Sequence, residues 1–322
     1  MNKATSINLG VNMIDLSSEN YNIAERVASH HALLNRSLDY LISETGLDKK
    51  VDTSKKPSWL SYGYYNKCIY SLELNDIKLG KKFLVDSLEN YKEFKSLSIS
   101  ELNFDISSKN KIELIENELF LHKDKSIEVG TVRENQKEER KKLSRALMII
   151  EEISPKLRFE LESYIDEIIL TGHSEGNYIR SAASFNLFGL ILINANRKNS
   201  ILFYIEHIIH ELSHVVLYTA QSYDELTLNP AEEKYKAPYR ADLRPMDGLY
   251  HAYFVMCRII SILSKLGKAN FSLDFEEERE NRLQSTIDKF YQTHNIMKKN
   301  AVFTHYGEFL FNQCAKQVRN IT

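Results

Sequence analysis

An α+β fold dominated by helices is predicted from three observations. Gly (11) and Pro (5) are sparse in the 322 residues, which favours long helices over a turn-rich all-β chain. Apolar residues recur at helical spacing through much of the chain. Short apolar runs bounded by Gly and Asn cluster in the second half, where they read as strands of a small sheet. The predicted organisation is a helical N-terminal half (1–140), serving substrate or leader recognition or capping a site, followed by a C-terminal half (141–322) that carries the chemistry. A single interlocked domain is the alternative.

The first helix is expected at 21–46, where Ile23, Val27, Leu33, Leu34, Leu38 and Leu41 keep roughly helical spacing. Further helical patterns fall at about 77–94, 110–121 and 138–152. The charged stretch "KDKSIEVGTVRENQKEERKK" (123–142) reads as a solvated face or a boundary. "IDEIILTG" (165–172) and "FNLFGLILINANR" (185–197) read as strands, with "HSEGNYIRSAAS" between them as a turn and a further strand. The next helix opens after Asn199 or Ser200 as N-cap. Ile201, Ile205, Ile208, Leu212 and Val215 form its apolar stripe. "PMDGLYHAYFVMCRIISILSKLG" (245–267) is apolar almost all round and predicts a buried helix.

Net charge is −2 with 27% charged residues. That gives no electrostatic case for nucleic acid or an anionic membrane as main partner. The N-terminal "MNKATSINLGVNMIDLSSEN" has no apolar signal core, and no run is expected to cross a bilayer. Three scattered cysteines (Cys68, Cys257, Cys314) predict core thiols in a reducing, cytoplasmic setting.

The chemistry-bearing pattern is "HELSH" (210–214) on the helix after Ser200. Residues four apart share a helix face, so His210 and His214 can turn imidazole nitrogens to one metal ion. Glu211 is rotated by about 100°, beside that ion. His207, three residues earlier, is read as an ordinary helix residue. A two-histidine helix needs a further ligand. The metzincin continuation would need Gly at 217 and His at 220; Leu217 and Ala220 exclude it. Glu232 and Glu233 fall in a polar loop and are weak candidates. His251, in the first turns of the buried helix, is the better third ligand. Ahead of it, "APYRADLRPMDG" places Arg240 and Arg244 four apart, suited to a carboxylate ligand or to an internal ion pair with Asp242, Asp247 or Glu211.

These residues resemble the HExxH-motif peptide-modification proteins of bacterial peptide natural-product pathways. The second block of that family looks like S-P-W-R-x-D-x-R-P-x-x-G-x-x-H. Here Pro238, Arg240, Asp242, Arg244, Pro245, Gly248 and His251 match in order, with Ala237 for Ser and Tyr239 for Trp. The likeness spans about 160–260. It implies a 2-oxoglutarate-dependent, non-haem Fe(II) hydroxylase that uses O₂ to oxidise a side-chain β-carbon in a ribosomally made precursor peptide. It also implies Fe(II) on His210, His214 and His251, with Arg240 or Arg244 on the distal carboxylate of 2-oxoglutarate. Glu211 would then orient a ligand or bound water rather than act as a base.

The competing expectation is a zinc-dependent peptidase or amidase with Glu211 as general base. A third is a peptide-binding scaffold with a degenerate metal site. The C-terminal half is expected to be zincin-like, its small sheet next to the HExxH helix. A homodimer is compatible with either enzymatic reading.

Overall fold

The structure, a computed structural model, describes residues 23–93, 96–102, 106–120, 129, 136–172, 179–195, 199–268 and 275–322. Of the described residues, 68% are helical, with small sheets, the α+β, mostly helical class that the sequence predicts. Residues 1–22, residues 123–128 and 130–135 of the charged stretch 123–142, and residues 173–178, where the sequence predicts a turn, lie outside the described residues.

Two compact units share the chain: one from 23–143 and 161–199, the other from 144–160 and 200–322. The chain therefore does not divide at a single point near 140. In the first unit, α1 (Ile23–Thr45) buries Ile23, Val27, Leu34, Leu38 and Leu41 of the predicted stripe, while Leu33 is half-buried. Next come β1 (Lys56–Pro57), α2 (Trp59–Glu73), α3 (Ile77–Glu89), β2 (Tyr91–Lys92), β3 (Ser98–Glu101) and α4 (Ile106–Phe120). The chain then runs through α5 (Gln136–Ile153) and α6 (Pro155–Tyr164), which carry residues of both units, into β4 (Glu167–Thr171), β5 (Ser181–Ala182) and β6 (Leu190–Asn194). β1 and β2 pair antiparallel.

The main sheet has strand order β3-β4-β6-β5. β3 pairs parallel to β4 from Ser98 opposite Glu167, and β4 pairs parallel to β6 from Glu167 opposite Leu190. Every residue of β4 and β6 is buried, which accounts for their unbroken apolar runs. Gly189 enters β6 with φ of 101°, a conformation L side chains rarely adopt, and an added Cβ would stand 2.7 Å from Asp166 Oδ2. Glu167, on the buried start of β4, is held by Trp59 Nε1 (2.6 Å), Ser100 Oγ (2.5 Å) and Lys111 Nζ (3.2 Å).

His30 is also buried in this unit, 4% exposed, with Tyr62 stacked on it and Phe188 4.2 Å away between ring centres. Neither of its ring nitrogens has a hydrogen-bond partner among the described residues. Its neighbour His31 meets Tyr62 Oη at 2.8 Å through Nδ1.

The second unit is built on α7 (Ile201–Gln221), the hairpin β7 (Tyr235–Lys236) with β8 (Leu243–Arg244), α8 (Met246–Lys268), α9 (Glu276–Asn300) and α10 (His305–Arg319). α8 packs against α7, α9 and α10. Its length and composition would let it cross a bilayer, contrary to the sequence expectation of no such run, but 83% of the apolar window is buried within the protein. It is a core helix. Arg258 lies on it, 1% exposed, paired through both terminal nitrogens with fully buried Glu160 (3.1 and 2.5 Å).

The main sheet belongs to the first unit and the HExxH helix to the second. All three cysteines are buried and free, as expected of core thiols.

Candidate metal centre

α7 starts where Ser200 Oγ accepts a hydrogen bond from the Phe203 amide at 3.1 Å, the N-cap foreseen from sequence. Most of its length is buried through residues such as Leu202, Ile205, Ile208, Leu212 and Val215. One stripe stays partly open: Phe203, His207, His210, His214, Tyr218 and Gln221. The three- and four-residue steps put these side chains on a single face, and their rings form a ladder. Phe203 and His207 are 4.0 Å apart, His207 and His210 6.2 Å, and His210 and His214 4.9 Å between centres.

The Nε2 atoms of His210 and His214 stand 3.2 Å apart. Two ligands each about 2.1 Å from one divalent ion can have that separation, subtending roughly 100°. Burial holds the His210 imidazole at a pKa of about 4, helped by the nearby positive charge of Arg240. Burial, His210, His251 and Arg240 hold His214 well below the usual histidine range. Both rings are therefore neutral at pH 7 and have lone pairs to give. These two residues fit a divalent ion as half of a ligand set.

His251 arrives at the site from the first turns of α8, buried, its ring 5.3 Å from that of His214. It does not face the gap between the two Nε2 atoms. Its Nδ1 lies 3.0 Å from Nδ1 of His214, and its Nε2 lies 2.7 Å from Gln221 Oε1. The expected three-histidine convergence is thus present as a cluster, with His251 behind His214. Among the described residues, no group of three or more His, Cys, Asp or Glu side chains is arranged to hold a metal ion.

Tyr218 packs against the rings of both His214 (6.1 Å) and His251 (4.8 Å). Burial and then the charges of Glu211 and Asp247 push its phenol up to about 12, so it stays protonated. Glu211 is 4% exposed, and its charge acts on Tyr218.

The arginine block forms the turn of the β7–β8 hairpin and leads into α8. Tyr239, standing where the resembling family has Trp, donates from its hydroxyl to the Gly248 carbonyl at 3.0 Å and so ties the turn to the helix start. Arg244 Nη2 pairs with Asp242 Oδ2 at 2.8 Å, the internal ion pair that was the alternative reading of this residue. Arg240 is exposed, and among the described residues its guanidinium pairs with no carboxylate. Its charge nevertheless acts on both His210 and His214. Glu232 and Glu233 are exposed, and Glu233 accepts from the Tyr235 hydroxyl, consistent with a solvated loop.

Sequence reasoning did not pick out Gln221, Tyr218 or the role of Asp247. The signal for the first two was available, since 210, 214, 218 and 221 continue one helical stripe. No family model matches the chain, and no curated protein matches it.

Proposed function

We propose that this chain is a non-haem Fe(II), 2-oxoglutarate-dependent hydroxylase acting on a β-carbon of a peptide residue. The observation that carries the reading is the pair of neutral imidazoles, His210 and His214, with Nε2 atoms 3.2 Å apart and the unpaired guanidinium of Arg240 in electrostatic reach of both. His210 and His214 would hold the ion. When bound, Fe(II), 2-oxoglutarate and O₂ together supply oxidising chemistry able to place one oxygen on an unactivated C–H bond.

The protein's own contributions follow from its side chains. Two nitrogen ligands leave positions for a third ligand, a chelating 2-oxo acid and O₂; facial-triad oxygenases fill three positions from the protein and keep the rest open in this way. Arg240 offers a cation for the distal carboxylate of the co-substrate, with charge-assisted hydrogen bonds to orient it. The Tyr239 bond to Gly248 fixes the turn from which Arg240 projects. Tyr218 walls the histidines against water. The peptide's residue would enter from the open stripe of α7. A cytoplasmic location and a precursor peptide as partner belong to the same proposal.

A zinc peptidase or amidase is the second reading, favoured by one observation: buried Glu211 lies close enough to Tyr218 to raise its pKa, on the side of the helix where a general base would stand. One experiment separates the two. Purified protein is incubated anaerobically with Fe(II), 2-oxoglutarate and candidate peptides, and air is then admitted. Succinate together with a peptide heavier by one oxygen supports the hydroxylase. Peptide cleaved by addition of water, without need of 2-oxoglutarate, transfers the assignment to the zinc enzyme.

A further inference from the structure

Four side chains run in a line behind the candidate metal position: Asp247, Gln221, His251 and His214. Gln221 Nε2 donates to the Asp247 carboxylate, Gln221 Oε1 faces His251 Nε2 at 2.7 Å, and His251 Nδ1 faces His214 Nδ1 at 3.0 Å. The proton positions along this line are dictated by what each atom can do. A carboxylate only accepts, so the amide nitrogen of Gln221 must face Asp247 and its oxygen must face His251. That oxygen also only accepts, so His251 Nε2 carries the hydrogen. A neutral imidazole has one N–H, which leaves His251 Nδ1 bare. Two bare nitrogens 3.0 Å apart would repel, so His214 Nδ1 must be the N–H donor. The last consequence is that His214 Nε2 is bare; it faces His210 Nε2 at 3.2 Å, which by the same rule carries the hydrogen while no ion is bound and gives it up to Nδ1 when His210 becomes a ligand.

We propose that His251 is a positioning residue, which with Gln221 and Asp247 locks His214 in the Nδ1–H tautomer and turns the bare Nε2 of His214 toward His210. The role is the one a carboxylate or backbone carbonyl plays behind many metal-bound histidines, where it fixes ring orientation and tautomer. Here a second imidazole takes that place, itself oriented by an amide. Tyr218, lying against both rings, restricts their rotation. The purpose of the lock rests on the metal-centre reading; its geometry does not.

The test has two readouts. Long-range ¹H–¹⁵N NMR of the metal-free protein reports which nitrogen of His214 is protonated. Co(II) or Zn(II) titration by calorimetry reports affinity. Wild type should show Nδ1 protonated and Nε2 bare. Gln221→Leu removes the acceptor for His251 from a partly exposed position, so the fold should survive; it should give a tautomer mixture at His214 and weaken metal binding by about 10–100-fold. Gln221→Glu combined with Asp247→Asn reverses the amide and the carboxylate, keeps a donor–acceptor pair between them and an acceptor for His251, and should restore both signals. His251→Phe should match Gln221→Leu in affinity.

A wild-type His214 protonated at Nε2 overturns the proposal. So does a Gln221→Leu protein indistinguishable from wild type in both readouts. If His251→Phe abolishes binding as fully as His210→Ala while Gln221→Leu does not weaken it, His251 is a ligand and the proposal fails. A tautomer that shifts as described in a wild-type protein with no metal affinity leaves the lock standing and removes the metal-centre reading instead.

Discussion

Arg244 and Asp242 form an ion pair at 2.8 Å, while Arg240, four residues earlier, acts electrostatically on both His210 and His214. The two arginines of one motif are therefore not equivalent. Arg240→Ala should weaken 2-oxoglutarate binding by roughly ten- to a hundredfold, the worth of a charge-assisted contact. Arg244→Ala should cost less in affinity, because its guanidinium is already engaged. Calorimetric titration of 2-oxoglutarate into Zn(II)-loaded variants measures both; equal losses would remove the distinction.

Metal uptake should depend on the two histidines whose Nε2 atoms converge. His210→Ala and His214→Ala should each abolish stoichiometric binding of Fe(II) or Co(II). His207→Ala should leave it within a few-fold of wild type, since the nearest ring to His207 is Phe203 at 4.0 Å. Elemental analysis after anaerobic loading and desalting decides it.

Arg258 and Glu160 illustrate a different balance. Both are fully buried, so removing one partner strands a charge in the interior. Arg258→Met or Glu160→Met should each cost about 3–5 kcal/mol of stability, while the double replacement, Arg258→Met with Glu160→Met, should be far closer to neutral. Urea denaturation of the four proteins closes that cycle.

Gly307 supports the loop that follows α7. A Cβ at this position would lie 1.9 Å from the Leu226 carbonyl oxygen. Leu226 is itself held at φ of 64°, and Thr304 N donates to its carbonyl at 3.1 Å. Neither backbone can yield cheaply, so Gly307→Ala should destabilise by at least about 2 kcal/mol. A lowered thermal midpoint checks it.

The pH response of the first unit should be set by His30 and His31. Burial holds His30 at about 4; burial, His30 and Lys56 hold His31 at about 3. The unfolded chain takes up protons at these sites near 6.5, before the folded chain does. Stability is thus complete above 6.5 and declines as pH falls from there toward 4. By pH 5 the loss from His30 alone should be about 2 kcal/mol. His30→Leu should flatten the slope of the urea midpoint between pH 7 and 5.

Much of the fold was legible because the relevant periodicities are strong. The stripe Ile23–Val27–Leu34–Leu38–Leu41 marks α1, and the apolar runs of β4 and β6 mark strands covered on both faces. The helix α9 carried no such mark. Its buried contacts reduce to a few residues, including Leu283, Phe290, Thr293 and Met297, scattered through a run of Glu, Lys and Asn. In α2, tyrosines and serines share the buried face with Trp59 and Cys68, so polarity does not separate its sides. The pairing of His210 with His214 followed from helix geometry alone. The turn of His251 toward Gln221 did not, because ring orientation depends on partners that meet only after α7 and α8 pack.

The interleaving of the two units has a consequence for synthesis. A ribosome finishes every residue of the first unit by 199, when the second has contributed, among the described residues, only 144–160. The strand unit can thus condense while the histidine helix is still untranslated, the vectorial order in which N-terminal units generally fold first. A recombinant fragment beginning at 141 would reverse that advantage. It would carry β4 without β3, leaving Glu167 to Leu170 as an unpaired sheet edge open to association with other chains.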